Sequence, residues 1–164
     1  MIYSLNEYSR KMSTLFPSFR PIGIIYTPFT RKEDTPVQAS YSSAEGRVVV
    51  YPEYSAGLEG VEGFSHLILL YLWHQAPQQV SLRVKPFLGE HEVGLFATRY
   101  PCRPNPIGLS VVRLLERRDN ELLIRGVDML DGSPLLDIKP YIPDFDVHPA
   151  ERTGWYKPVT KPTS

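Results

Sequence analysis

Ile107-Gly108-Leu109-Ser110-Val111-Val112-Arg113-Leu114-Leu115 runs into a polar break, Arg117-Arg118-Asp119-Asn120, and resumes as Leu122-Leu123-Ile124-Arg125-Gly126-Val127. Two β-rich runs around a short charged turn read as an antiparallel hairpin. The same grammar recurs outward from it. Ile22-Gly23-Ile24-Ile25-Tyr26 is β-branched and stops at Thr27-Pro28, and Gly46 opens Arg47-Val48-Val49-Val50-Tyr51. Residues 66–73 form a continuous apolar run bounded by Gly63 and Pro77, the pattern of a fully buried strand. Gly94-Leu95-Phe96-Ala97 reads as a strand and 83–85 as a brief pairing segment. A last strand, 135–139, follows the turn Asp131-Gly132-Ser133-Pro134.

Between these runs the chain is irregular. Residues 30–43 are polar with Pro36 inside, a loop long enough to expect function or mobility. Residues 54–63 are turn-rich, with one helical turn expected around Ala56-Gly57-Leu58. Pro101, Pro104 and Pro106 exclude regular structure from their stretch. Residues 1–18 precede the pattern as an extension, in which Tyr3, Leu5, Tyr8, Met12 and Leu15 fit one amphipathic helix or an unstructured lead-in. Short strands, proline punctuation and no β-helix-β alternation predict an all-β fold, mainly β with short helices. The expected form is a compact single-domain β-barrel, with a sandwich as runner-up and a Rossmann fold excluded.

At 164 residues and 42% hydrophobic, the chain fits one domain able to bury its own core. Its single cysteine, Cys102, forbids an intrachain disulfide and suits a reducing compartment. Asn6, Glu7, Arg10 and Lys11 interrupt any signal-peptide core, and the longest apolar run, 67–73, is far below the ~20 residues of a membrane helix. A cytoplasmic protein without membrane association is expected. The formal net charge is zero, so a nucleic-acid partner requires a local basic patch. No acidic residue lies between Glu92 and Glu116, whereas Arg99, Arg103 and Arg113 do.

Several site signatures are absent: GxGxxG after a strand, GxxxxGK[ST], and GxSxG. His66, His74, His91 and His148 lack metal-ligand spacing, so no metal is expected. Two segments stand out instead. In residues 96–110 alternate prolines stiffen a loop that carries Arg103 and Asn105, and a guanidinium held there suits phosphate or carboxylate. The plainer reading is a stiff connection with solvated arginines. In residues 128–141, Asp131-Gly132 makes a turn, and Asp137 and Lys139 fall on one face of a strand. Acids on that turn suit a nucleoside's amino or ribose groups; the plainer reading is a hairpin with a surface ion pair. His74-Gln75 follows the apolar run, where a strand end meets a cleft, although a histidine capping a strand is commoner. Trp73 and Trp155 read first as packing residues, with cofactor stacking as the lesser possibility.

Together Ile22-Gly23-Ile24-Ile25, Gly63-Phe64-Ser65-His66-Leu67, Trp73-His74-Gln75, residues 96–110 and residues 131–141 resemble the TsaA-like (TrmO) family. The joint presence of RPNPIGLS and DGSPLLDIKPY carries the resemblance, which covers residues 19–146 and leaves 147–164 as a tail. It implies a small β-barrel, usually a homodimer, that binds S-adenosylmethionine. It further implies methylation of the exocyclic amine of threonylcarbamoyl-adenosine beside the tRNA anticodon. By matching positions, the cofactor site would include Val37, Gln38, Ala39, His74, Gln75, Arg99, Leu109, Asp128, Met129, Leu130 and Asp131. Arg103, Asn105, Asp137 and Lys139 are the expected substrate-side residues, with no catalytic base assigned. A non-catalytic S-adenosylmethionine-binding module, or a methyltransferase with a non-tRNA acceptor, remains the alternative.

Overall fold

The computed structural model describes residues 19–157, so the extension 1–18 and residues 158–164 lie outside the described residues. Among the described residues there are eight strands: β1 (Gly23–Tyr26), β2 (Glu45–Val50), β3 (His66–Leu72), β4 (Arg83–Val84), β5 (Val93–Gly94), β6 (Ile107–Arg118), β7 (Glu121–Arg125) and β8 (Ser133–Pro140). Six of them close a barrel in the order β1-β2-β7-β6-β3-β8, every neighbouring pair antiparallel. Closure leaves no unpaired strand edge. The barrel, not the sandwich, is therefore the architecture. Strands β4 and β5 form a separate two-stranded ribbon.

The expected hairpin forms at β6 and β7 with a tighter turn than the four-residue break read from the sequence, because Arg117 and Arg118 continue the ladder as strand residues. The two strands pair from Arg118↔Glu121 back to Arg113↔Arg125, joined by Asp119 and Asn120. Asp119 takes a left-handed backbone (φ 51), the conformation that two-residue hairpin turns demand. The Asn120 amide donates to the Val50 carbonyl at 2.7 Å and so ties the turn to the end of β2.

Alternation decides the core. Val48 and Val50 on β2, Leu67, Leu69 and Tyr71 on β3, Val112 on β6, Leu122 and Ile124 on β7 and Leu135 on β8 all point inward and are buried. On β3 this corrects the expectation of a strand buried on both faces. Leu67, Leu69 and Tyr71 are buried, but Ile68, Leu70 and Leu72 are half-buried on the outside. A single-layered wall has one interior, so a continuous apolar run cannot bury both its faces. The expected strand at 94–97 is also corrected. Pairing stops at Gly94, and Leu95–Ala97 turns into a 3-10 helix. Leu95 is buried there while Phe96 is exposed.

Antiparallel order gives the barrel two ends. Val50, the Asp119-Asn120 turn, His66 and Pro140 lie at the hairpin end, with the 3-10 helix Pro52–Leu58 beyond. Tyr26, Glu45, Leu72, Ile107, Arg125 and Ser133 lie at the other, the loop end. Residues 27–44, 73–82, 95–106 and 126–132 all connect elements there.

Candidate functional site

The loop end gathers most of the expected site residues, because the long connections all leave the barrel on that side. Within residues 27–44, a 3-10 turn at Ala39–Tyr41 brings Gln38 toward residues 95–100. Arg99 Nη1 donates to Gln38 Oε1 at 2.7 Å, which joins two segments 61 positions apart. The second segment is wound by its own bonds. Thr98 Oγ1 donates to the Leu95 carbonyl (2.7 Å), and the Tyr100 amide donates to Thr98 Oγ1 (3.1 Å). Arg103 Nη1 donates to the Thr98 carbonyl at 2.9 Å, and its guanidinium lies 5.5 Å from the centre of the Phe96 ring. Arg103 thus adds a side-chain brace to the stiffness expected from the prolines. Asn105 is exposed, and its carbonyl accepts from the Ile107 amide at the start of β6.

Beneath these loops a polar chain runs through the barrel's interior. Tyr71 Oη lies 3.1 Å from Ser110 Oγ, which donates to Asp128 Oδ1 at 2.5 Å. Burial pushes the Asp128 carboxyl above its ordinary range, opposed by hydrogen bonds from Ser110, the Ala39 backbone amide and Tyr71. Burial also raises the Tyr71 phenol, and the nearby Asp128 charge adds to that rise. The Ala39 contact anchors the loop bearing Gln38 to the barrel. Glycine is required beside this chain: a Cβ on Gly108 would meet the Tyr71 ring at 2.3 Å.

Residues 128–131 are largely committed to the fold. Met129 and Leu130 are buried, Thr27 Oγ1 donates to the Met129 carbonyl, and Ser133 Oγ donates to the Leu130 carbonyl. Asp131 Oδ1 accepts from the Thr27 amide at 3.0 Å. These bonds fix the backbone beneath the loops.

A cavity of about 590 Å³ opens between the Gln38–Tyr41 turn, residues 96–99 and a tail segment at 153–156. Its volume suits a small ligand. Gln38 and Arg99 supply hydrogen-bonding groups, while Tyr41, Phe96, Trp155 and Tyr156 supply aromatic surface. A larger cavity, about 760 Å³, opens at the hairpin end between Leu58, Val61, Phe64 and Ile138, with Glu53 and Glu59 on its wall. Asp137 is its one expected residue. Size favours the second cavity; the convergence of Gln38 with Arg99 favours the first, and polar convergence is the better guide to ligand chemistry.

The remaining expected residues are elsewhere. His74 and Gln75 are exposed beyond β3, with Gln75 Nε2 3.4 Å from His74 Nε2. Leu109 faces outward from β6, opposite Leu70, which in turn pairs with Asp137 of β8. Asp137 and Lys139 share that outer face, their charges 2.8 Å apart. Val37 is exposed beside Gln38. The expected set is thus distributed over the cavity, the barrel interior and the outer wall. The aromatic wall of the cavity was missed, apart from the lesser reading of Trp155. No spacing rule joins Tyr41, Phe96 and Tyr156, because they converge only through the loops. Among the described residues no group of three His, Cys, Asp or Glu side chains could hold a metal ion. No helix among them is long and apolar enough to cross a membrane.

Comparisons with known proteins converge on one description. The model of the tRNA-methyltransferase O N-terminal domain matches residues 24–147. A protein of Pyrococcus abyssi, described as a probable S-adenosyl-L-methionine-binding protein, is 56% identical over 138 residues, covering 84% of this chain and 74% of its own. The human tRNA (adenine(37)-N6)-methyltransferase is 38% identical over 136 residues, 77% of this chain but 30% of the human protein. The crystal structure of TrmO from Pseudomonas aeruginosa superposes with a TM-score of 0.70 at 40% identity, covering 85% of this chain and 61% of that one. The chain therefore spans about three-fifths of the solved TrmO chain.

Proposed function

The chain belongs to the tRNA-methyltransferase O N-terminal domain family, and from that premise we propose that it is an S-adenosyl-L-methionine-dependent methyltransferase acting on tRNA. The observation that carries the reading is the loop-end cavity, where Arg99 and Gln38 meet beside four aromatic side chains. These residues fit the group: aromatic faces suit adenine, and a guanidinium and a carboxamide suit its polar substituents. When bound, S-adenosyl-L-methionine supplies an electrophilic sulfonium methyl.

What this chain's residues contribute is placement. Arg99, fixed by Gln38, holds one end of the ligand, while the Tyr71-Ser110-Asp128 chain keeps the Ala39 loop from drifting. Positioning two reactants accounts for a large share of a displacement's acceleration. The finer acceptor we propose is the exocyclic amine of threonylcarbamoyl-adenosine beside the anticodon. Its carbamoyl substituent makes the nitrogen more acidic than adenine's own, so no strong protein base is demanded.

His74, Gln75, Val37, Ala39, Leu109 and residues 128–131 complete the proposed cofactor set. On the substrate side we place Arg103, Asn105, Asp137 and Lys139. The stretch free of acidic residues between Glu92 and Glu116 supports tRNA approaching the loop end. A homodimer is proposed as well, supported by the outward apolar patch of Ile68, Leu70, Leu109 and Val111 on the β3–β6 wall. Light scattering behind size exclusion tests it.

The deciding experiment is incubation with methyl-labelled donor and bulk tRNA, followed by nucleoside analysis. Label in methylated threonylcarbamoyl-adenosine is the expected result. Tight S-adenosylhomocysteine binding without label in any tRNA nucleoside would favour the second reading, a binding module. The zero net charge keeps that reading in view.

A further inference from the structure

The family match ends at residue 147, yet one wall of the cavity comes from residues 153–156. That wall is built, not merely adjacent. The Tyr156 amide bonds to the Thr153 carbonyl at 3.2 Å, and Thr153 Oγ1 donates to the Tyr156 carbonyl at 3.1 Å, closing a tight turn. Gly154 sits inside it with φ +61, a conformation glycine adopts without the strain a Cβ brings. Two side-chain bonds fasten the turn across the cavity. Trp155 Nε1 donates to the Ala97 carbonyl at 2.7 Å, and the Tyr41 and Tyr156 hydroxyls lie 3.0 Å apart. Both tail rings are half-buried and set edge to face, 6.2 Å between centres. Tyr41 and Phe96 oppose them from the loops.

We propose that this tail turn is part of the ligand site, and that Trp155 and Tyr156 are binding residues for the adenosine portion of the cofactor. The inference rests on the cofactor reading above and adds an element beyond the family's domain. The argument is one of chemistry and position. Aromatic rings that are held by their polar edges and line a cavity can stack purines without demanding a particular hydrogen-bond pattern. The hydrogen bond from the Trp155 indole to the Ala97 carbonyl restrains the ring through its edge, not through its π face. Arg99, on the facing side, is held by Gln38 through one guanidinium nitrogen and offers the others to the ligand's polar groups. A tail that served only to cover the barrel would bury its rings in the core; here neither ring belongs to the buried core.

The test uses the full chain and two ligands that share adenosine, S-adenosylhomocysteine and 5′-methylthioadenosine, titrated calorimetrically. Trp155→Ala should weaken both by a similar factor, roughly tenfold or more, as expected for losing a base-stacking ring. Trp155→Phe, which keeps a ring but loses the bond to Ala97, should fall between that variant and wild type. Unchanged or tighter binding by Trp155→Ala overturns the inference. If alanine also lowers the melting temperature, phenylalanine decides: a loss as large as alanine's overturns the stacking role. Wild-type protein that binds neither ligand overturns the cofactor reading together with this inference. Wild-type binding with an insensitive Trp155→Ala overturns this inference alone.

Discussion

The two ends of the barrel are built from the same six strands and are finished differently. At the hairpin end β6 passes to β7 through Asp119 and Asn120, and the adjoining cavity is walled by Leu58, Val61 and Phe64 with scattered acids. At the loop end the connections are long, and they bring Gln38 to Arg99, Ala39 to Asp128 and Trp155 to Ala97. The hairpin-end cavity is the larger of the two. What differs is that the loop-end groups are held by bonds between distant segments, so their geometry is fixed by the fold itself. Volume comes from how loops fall; prepared geometry needs partners.

The harshest way to break that contrast is Gly108→Ala. Its Cβ would sit 2.3 Å from the Tyr71 ring, while the same substitution at Gly57, on the hairpin-end cavity, meets nothing within 4 Å. Overpacking of that kind costs about 1–3 kcal/mol, or a melting temperature lowered by roughly 2–4 °C per kcal/mol. Gly57→Ala should stay within about 0.5 kcal/mol. Equal losses in thermal melts would mean that the loop end holds no special packing constraint.

Comparable in size, but read in affinity and not in stability, is Arg99→Ala. Loss of a charged hydrogen-bonding group at a ligand site is worth about 1.5–3 kcal/mol, roughly tenfold to a hundredfold in S-adenosylhomocysteine affinity. Glu53→Gln at the opposite cavity should leave that affinity within about twofold, since a surface change away from a ligand site moves little. Calorimetric titration separates the two, and a larger effect from Glu53 would reassign the site to the hairpin end.

Asp128→Asn sharpens the comparison through pH. Burial raises the folded carboxyl above its unfolded value, so the protonated form is favoured by folding. Its contribution is full below about pH 4 and is lost as pH rises through the folded value. The melting temperature of the wild type, measured against Asp128→Asn, should therefore compare better at pH 4 than at pH 7. A difference that does not move with pH would show that the bonds from Ser110, Ala39 and Tyr71 cancel the burial effect. The smallest effect belongs to the hairpin. Asp119→Gly relieves the left-handed backbone at φ 51 and should add up to about 1 kcal/mol, with ligand affinity unchanged.

The wall was readable residue by residue. Alternation on β6 and β7, the turn between them and the glycine-punctuated runs are local features, and local steric preferences fix them. The run at 66–73 misled because hydrophobicity alone does not say how many faces a strand buries; only the closed single layer answers that. Phe96 misled for a related reason. Val93 and Gly94 pair with β4 and the Leu95 amide still donates to the Leu82 carbonyl at 2.9 Å, but the chain then winds into a 3-10 helix that keeps Leu95 buried. The site was legible by halves. Arg99 and Gln38 were named and do meet. Asp128 was named for the cofactor site, and the structure shows its carboxyl closing the interior chain with Ser110 and Tyr71, a bond no sequence pattern announced. Arg103 was read as exposed to a partner, and its bonds brace the segment that carries Arg99.

By itself, then, the sequence determined the β class, the presence of the β6–β7 hairpin, the stiff proline loop and the family, because each depends on residues near in the chain or on a motif. Tertiary structure alone decided which end of the barrel holds the prepared cavity, which acid is buried, and that Tyr41, Phe96, Trp155 and Tyr156 share one space. The physical reason is distance along the chain. Tyr41 and Tyr156 are 115 positions apart, and their contact exists only once the barrel has closed between them.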